Sequence, residues 1–234
     1  MINLKDKFVR RATLMEIGGF KPTGDLTSSI FGKVNLSLPD EEWPHSNNKP
    51  MIPICQVNLV QLPYIPELLR DIEMITLFID SEELPSNCPN GQTWCLRAYS
   101  DIKDLVPIKD QPIESSVKVF EMKPILVEED YPHWEDFVND LYKEHIEVTE
   151  EIKEYYERHF QNVPGFKIGG WPTLIQSEIF WAPYNQHPAE PKFAFQIDST
   201  EKGNWYWGDS GVGYIGRGTS KGSTNEWVIE WQCY

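Results

Sequence analysis

The chain has 234 residues, 40% of them hydrophobic and 24% charged, which excludes a disordered chain and indicates a globular one. Its 21 basic and 36 acidic residues give a formal net charge of −15. A surface of that sign repels nucleic-acid phosphates and anionic lipid headgroups. We therefore expect no nucleic-acid partner and no membrane partner, and the charge favours a basic protein as partner instead.

The N-terminal sequence MINLKDKFVRRATL contains basic residues but no apolar run, so we do not expect a secretory signal. No stretch approaches the roughly 18 apolar residues that a membrane span needs. We therefore expect a cytoplasmic protein whose four cysteines are reduced thiols. Only Cys88 and Cys95 are near enough in sequence to suggest a local pair, and that question stays open at this stage.

The first half of the chain reads as turns and strands. Residues 1–27 are mixed and contain the pair Gly18-Gly19, which is typical of a turn. Beyond it, apolar runs and alternating patterns predict strands. They cover residues 54–59, 74–80, 93–100 and 117–122.

Residues 132–160 are predicted to be helical. One apolar stripe follows the 3.6-residue period through Trp134, Phe137, Val138, Leu141 and Tyr142, and a second follows it through Ile152, Tyr155, Tyr156 and His159. Thr149 is a suitable cap for the second helix, and Pro164-Gly165 ends the run. Alternation returns at 193–198 and 227–234, so strands flank a helical block and the fold class is predicted to be α+β.

Two β-rich blocks, at about 28–80 and 166–220, resemble each other. Gly32 precedes Gln56 by 24 residues, and Gly170 precedes Gln196 by 26, with a Pro-bearing segment between them in both. We interpret this as a tandem duplication with a pseudo-two-fold arrangement inside a single domain spanning 1–234. The alternative is two unrelated segments that share common strand and turn chemistry.

A pair of polar residues occurs at the equivalent place in each block. Gln56 and Asn58 are two residues apart on one strand face, and so are Gln196 and Asp198. Together with Asp209 they form a candidate polar site if the two pairs converge between the halves. In the competing interpretation these side chains satisfy loop backbone groups or face water.

Several segments resemble the YwqG-like family of bacterial proteins. They are KIGGWPTLIQ, FAFQIDS, WYWGDSGVGYIG and EWVIEWQCY in the C-terminal half, and SSIFGKVNLSLPDEEWP and PMIPICQVNL before them. The chain departs from that pattern at Phe31-Gly32, at Tyr214-Ile215 and in SEIFWAPYNQ after Gln176. The resemblance implies an α+β fold with a tandem duplication, brings no assigned activity, and associates some members with immunity in bacterial toxin cassettes.

Reactive groups are not arranged in any pattern that we recognise as catalytic, cofactor-binding or metal-binding. Asp209-Ser210-Gly211 is interpreted as a turn in which the glycine supplies positive φ, and not as a nucleophile with its base. The five histidines lack metal-ligand spacing, and the glycines from 211 to 218 are not followed by a phosphate-loop Lys-Ser/Thr. We expect no catalytic residue, metal or cofactor, and favour a protein that is not an enzyme.

Acidic residues are concentrated between 128 and 157, where twelve acids accompany two bases. The set predicted to form a docking face is Glu135, Asp136, Asp140, Glu144, Glu147, Glu151 and Glu154. One interpretation is a solvated helix surface, and the other is a docking face for a basic partner.

Three functional hypotheses follow. The first is a non-enzymatic protein-binding role, with immunity against a basic toxin as its most concrete form. The second is an enzyme or small-molecule binder that uses the polar site between the repeats. The third is a structural adaptor that oligomerises through exposed aromatics near Trp205 and Trp207.

Overall fold

The computed structural model describes residues 4–181 and 186–234, and these residues form fourteen strands and three helices. The strands are, in chain order, β1 (Arg10–Ile17), β2 (Ile30–Phe31), β3 (Leu36–Ser37), β4 (His45–Ser46), β5 (Lys49–Pro50), β6 (Ile52–Asn58), β7 (Met74–Ile79), β8 (Trp94–Tyr99), β9 (Val106–Pro107), β10 (Phe120–Asp130), β11 (Lys167–Gly169), β12 (Lys192–Asp198), β13 (Val212–Arg217) and β14 (Trp227–Gln232). The helices are α1 (Leu4–Phe8), α2 (Trp134–Lys143) and α3 (Glu150–His159).

Ten of the strands form one antiparallel sheet in the order β14-β13-β12-β11-β1-β10-β2-β6-β7-β8. The sheet curls until it nearly closes on itself. Two short ribbons, β3 with β9 and β4 with β5, lie outside it. Strands and a small helical block are thus segregated along the chain, so the architecture is mixed and consistent with α+β.

The sheet has two four-stranded wings, β2-β6-β7-β8 and β11-β12-β13-β14, on either side of the central pair β1 and β10. The first two strands of each wing pair in the same register. Phe31 is opposite Cys55 in one wing, and Ile168 is opposite Phe195 in the other. The next residues, Gly32 and Gly169, both have φ of +75°, which a side chain rarely adopts. The equivalent glycine is therefore Gly169 and not Gly170. A duplication as the origin of this likeness stays a prediction.

The main core is the apolar inner face of the curled sheet. It forms one continuous cluster whose most buried members are at most 1% exposed, among them Phe31, Leu77, Phe195 and Ile215. Trp205 and Trp207 join it at 7% and 0% exposure, so these two side chains do not supply the exposed aromatics of the adaptor hypothesis.

A second core lies under the helices. Phe8 of α1 packs edge-on against Phe137 of α2, with ring centroids 4.9 Å apart, and Tyr131 stacks on Phe160 at 4.6 Å. Thr149 caps α3 as predicted, because its Oγ1 accepts a hydrogen bond from the backbone N–H of Ile152. The predicted stripe of α2 is shorter than expected, since Tyr142 is 61% exposed.

The strand predictions in the first half hold for β6, β7 and β8 but fail at two places. The strand predicted at 117–122 starts at Phe120 and runs to Asp130, so three acids of the 128–157 run lie on β10 and not on helices. Residues 1–27 contain β1, a central strand that the sequence did not predict. Only Ala12, Thr13 and Met15 are buried in it, so its sequence shows no clean alternation.

The turn at 208–211 also differs from its prediction. Gly208 and Ser210 have positive φ there, at +58° and +55°, and Gly211 does not. A side chain at Gly211 is excluded by space instead, since a Cβ would lie 1.9 Å from the backbone oxygen of Gln232. Gly18 and Gly19, predicted to form a turn, lie in a bend of the chain with φ of +57° and +90°.

Candidate functional site

Gln56 and Asn58 hold the segments on both sides of β2 onto β6. The Oε1 of Gln56 accepts hydrogen bonds from the N–H groups of Asn35 and Leu36 at 2.9 and 3.1 Å, and its Nε2 donates to the oxygens of Leu26 and Ser28. The Nδ2 of Asn58 donates to the oxygen of Thr27, and its Oδ1 accepts from Val60. Both side chains are buried, and their amide atoms are occupied by backbone.

Gln196 and Asp198 on β12 likewise bind the backbone of neighbouring segments. The Oε1 of Gln196 accepts from the N–H of Thr173 at 2.8 Å, and its Nε2 donates to the oxygen of Gly165 and to Asp198. The other carboxylate oxygen of Asp198 accepts from the N–H of Gly165 at 2.7 Å. Burial raises the pKa of Asp198, and these two hydrogen bonds oppose the shift by stabilising the charged form.

The structure holds these residues in separate groups. No hydrogen bond within the described residues joins Gln56 or Asn58 to Gln196 or Asp198. Five strand spacings separate β6 from β12 along the sheet, which is about 24 Å at about 4.8 Å per strand. Asp209 lies apart from both pairs on an exposed turn, where its backbone oxygen accepts from the N–H of Tyr234.

An ion pair that the sequence pattern did not indicate lies fully buried next to Gln196. The Nζ of Lys167 is 2.9 Å from the Oδ2 of Asp130, and both side chains are at 0% exposure. Asp130 also accepts from the N–H groups of Trp171 and Val163. Desolvation lowers the pKa of Lys167, and Asp130 opposes this. The pair joins β10 to β11, so its role is to fasten the centre of the sheet.

The predicted acidic face lies on α2, on α3 and on the segment between them, which carries Glu144 and Glu147. Glu135, Glu147 and Glu151 are exposed and form no salt bridge with any described residue. The remaining members of the set differ. Glu144 pairs with Lys7, Glu154 with Arg158 at 2.9 Å, and Asp140 with Lys143 at 3.0 Å. Surface pairs of this kind are weak, so the helices keep a strongly negative field.

Asp136 is the most perturbed member of the acidic set. Burial raises its pKa to about 6, and the nearby charge of Asp140 adds to the shift. Its Oδ2 is buried and accepts no hydrogen bond in the described part of the chain. Asp136 lines an open cavity of about 840 Å³ together with Asp140 and Arg10, whose guanidinium lies 3.2 Å above the ring centre of Trp171.

The described residues contain no group of three or more His, Cys, Asp and Glu side chains that could hold a metal ion. Cys88 and Cys95 are free thiols, and the Sγ of Cys88 is 2.7 Å from the hydroxyl of Thr93. No helix among the described residues is long and apolar enough to cross a membrane. Residues 182–185, within the SEIFWAPYNQ segment, lie outside the described residues.

A family model for a domain of unknown function, DUF1963, matches residues 29–217 of the chain. The chain belongs to the DUF1963 family. No curated protein matches its sequence. The DUF1963 match begins just before β2 and ends at Arg217 on β13, so it takes in both polar pairs and both acidic helices and leaves β1 and β14 outside. Membership assigns no activity, and function has to be argued from the site.

Proposed function

We propose that this DUF1963 protein is a non-enzymatic binding protein whose partner is a basic protein, and that the acidic surface of α2 and α3 makes the contact. The observation that carries this proposal is that Glu135, Glu147 and Glu151 are exposed without a cationic partner among the described residues. Uncompensated carboxylates on one surface raise the association rate of a positively charged protein by steering it before contact.

Helix stability accounts for only part of this charge. Glu135, Asp136, Glu150 and Glu151 lie in the first turns of α2 and α3, where the positive end of the helix dipole stabilises an acid by about 0.3–1 kcal/mol. Glu144, Glu147 and Glu154 are outside those turns. Lys7 and Arg158 offset Glu144 and Glu154, so Glu147 is the member of this group that no salt bridge among the described residues offsets, and partner binding would give its charge a use.

The most specific form of the proposal is immunity, in which the chain neutralises a basic toxin in the cytoplasm. Its support is the resemblance of KIGGWPTLIQ and WYWGDSGVGYIG to the YwqG-like proteins, together with the net charge of −15. We also infer that the two wings of the sheet arose by duplication. The matched register, the paired glycines Gly32 and Gly169, and the equivalent bonding of Gln56 and Gln196 support that inference.

A small-molecule site built from the five polar residues ranks below protein binding. The amide atoms of Gln56 and Gln196 already bind backbone groups, so a ligand would have to break those bonds to use them. Breaking hydrogen bonds to buried backbone costs about 1–3 kcal/mol for each group left unsatisfied.

The test is co-expression with the product of the neighbouring gene, scoring rescue from toxicity and co-purification. The complex is then studied with the triple variant Glu135→Gln, Glu147→Gln and Glu151→Gln. Its control neutralises three exposed acids elsewhere, Glu83, Glu114 and Glu201, so both variants carry the same net charge.

We expect the helix variant to lower the association rate at least tenfold at low salt, and the control variant to change it less than threefold. The wild-type rate falls as salt rises, because ions screen the exposed charges. Failure of both rescue and co-purification would reject the immunity form. Equal effects of the two variants would show that total charge matters and that α2 and α3 are not the docking surface.

A further inference from the structure

The curled sheet leaves a seam between its two edge strands, β8 and β14. Contacts close the seam at both ends. Arg217 binds Asp71 with two hydrogen bonds, at 2.5 and 2.7 Å, and the indole N–H of Trp231 donates to the oxygen of Pro85 at 2.7 Å. Between these ends lie two cavities of about 480 and 270 Å³, which share the lining residues Asn90, Asn225 and Trp227.

The edge of β8 is already covered. The side chain of Asn90 accepts from the N–H of Leu96 at 2.8 Å and donates to its oxygen at 2.9 Å, as a neighbouring strand would do. The N–H of Gly91 donates to the oxygen of Trp94. Capping of this kind is how proteins block unwanted pairing at a sheet edge.

Among residues 4–181 and 186–234, the edge of β14 has no such cover. The N–H of Gly218 donates to the oxygen of Glu226, which is opposite it in the register of β13 and β14. Because such hydrogen-bonded pairs alternate along an antiparallel ladder, every second residue from 226 to 232 has its backbone N–H and C=O facing β13. The intervening residues, Trp227, Ile229 and Trp231, therefore direct their N–H and C=O groups outward into the seam. Among the described residues no hydrogen bond involves those outward backbone groups.

We propose that the seam binds an extended, basic peptide segment of a protein partner, which pairs with β14 as an additional strand. An uncovered edge provides backbone donors and acceptors at the two-residue spacing that a strand needs. The larger cavity, at about 480 Å³, is within the size range of ligand sites.

The charge around β14 selects a basic segment over an acidic one. Glu226 lines the larger cavity, and no lysine or arginine is among the described residues that line it. Arg217 lines the smaller cavity, where its charge is offset by Asp71. The net charge of −15 adds to the same preference. This surface is distinct from the acidic helices, and the proposal stands whether or not those helices bind a partner.

The test is a titration of the uniformly nitrogen-15-labelled protein with a capped peptide of alternating lysine and valine, followed by amide chemical shifts. We expect saturable shifts at Trp227, Ile229 and Trp231 with a Kd below about 1 mM. Two matched peptides separate the possible causes. One carries N-methyl groups on alternate residues and cannot donate along one edge, and the other replaces lysine with glutamate.

Both matched peptides are expected to bind at least tenfold more weakly. The variant Ile229→Pro should weaken binding by a similar factor, because proline removes an outward donor and is tolerated on an open edge. Should that variant not fold, the N-methylated peptide still decides. The proposal is overturned by undiminished binding of the N-methylated peptide, by no shifts at about 5 mM peptide, or by shifts confined to α2 and α3. The last outcome would leave the helix proposal standing and reject the seam.

Discussion

Replacing Asn58 and Gln196 by alanine, singly and together, distinguishes two polar residues that fasten separate loops from two that share a site. Asn58→Ala removes two part-buried hydrogen bonds to backbone, those to Thr27 and Val60. At about 1 kcal/mol for each, the free energy of unfolding should fall by about 2 kcal/mol. Gln196→Ala leaves Thr173, Gly165 and Asp198 without their bonds and should cost about 3 kcal/mol.

The double variant should lose about 5 kcal/mol, which is the sum of the two single losses. Asn58 and Gln196 lie on strands five spacings apart in the sheet and share no hydrogen-bond partner, so their effects on the free energy of unfolding should add to within about 0.5 kcal/mol. Urea unfolding at 25 °C, followed by tryptophan fluorescence, measures all four proteins of the cycle. An interaction energy above about 1 kcal/mol would show that the two groups communicate. Our conclusion that each serves only its own loop would then be wrong.

Two further predictions test local features. Asp136 has its pKa raised to about 6 in the folded protein, so the folded state holds this proton more tightly than the unfolded state does between about pH 4 and pH 6. The stability contribution of this group therefore falls as pH rises through that window. Asp136→Asn should remove this pH dependence and raise the free energy of unfolding at pH 7 by about 1–2 kcal/mol, after allowance for partial exposure. Urea unfolding from pH 4.5 to 7.5 measures it, and an unchanged dependence of stability on pH would contradict the assignment. Gly211→Ala should destabilise by more than about 3 kcal/mol because its Cβ meets backbone, whereas Gly222→Ala, with φ of +85° and no atom within 4 Å, should cost about 1 kcal/mol. A loss at Gly211 no larger than the loss at Gly222 would show that the close approach at Gly211 is relieved at little cost.

Local patterns predicted the elements whose determinants are local. The apolar runs of β6 and β7, the period-two alternation of β12 and β14, and the cap at Thr149 can all be read within a few residues of sequence. β1 was not predicted because it is central yet begins with two exposed arginines, so position in the sheet and not its own pattern determines its burial. Sheet order is a non-local property, and it also places β14 at one end of the sheet among the described strands.

The site was harder to predict for the same reason. Lys167 and Asp130 are 37 residues apart in sequence, and nothing near either one indicates a fully buried pair. The sequence pattern identified the two polar pairs as candidates, but strand parity gives only the face of the sheet. It cannot tell whether a side chain on that face meets a ligand or the backbone of a covering loop.

The likeness between the two wings bears on where function should be sought. Gln56 and Gln196 use their side-chain oxygens in the same way, each accepting from the backbone of the segment that follows the glycine with φ of +75°. A feature that both wings need for folding is explained without a ligand, so it gives no information about partners. The features that distinguish the wings are then the informative ones. The acidic helices α2 and α3 lie between β10 and β11. No described residue caps β14, whereas Asn90 caps its counterpart β8. These asymmetries are where we expect binding, because the shared framework already accounts for the buried polar groups of the motif.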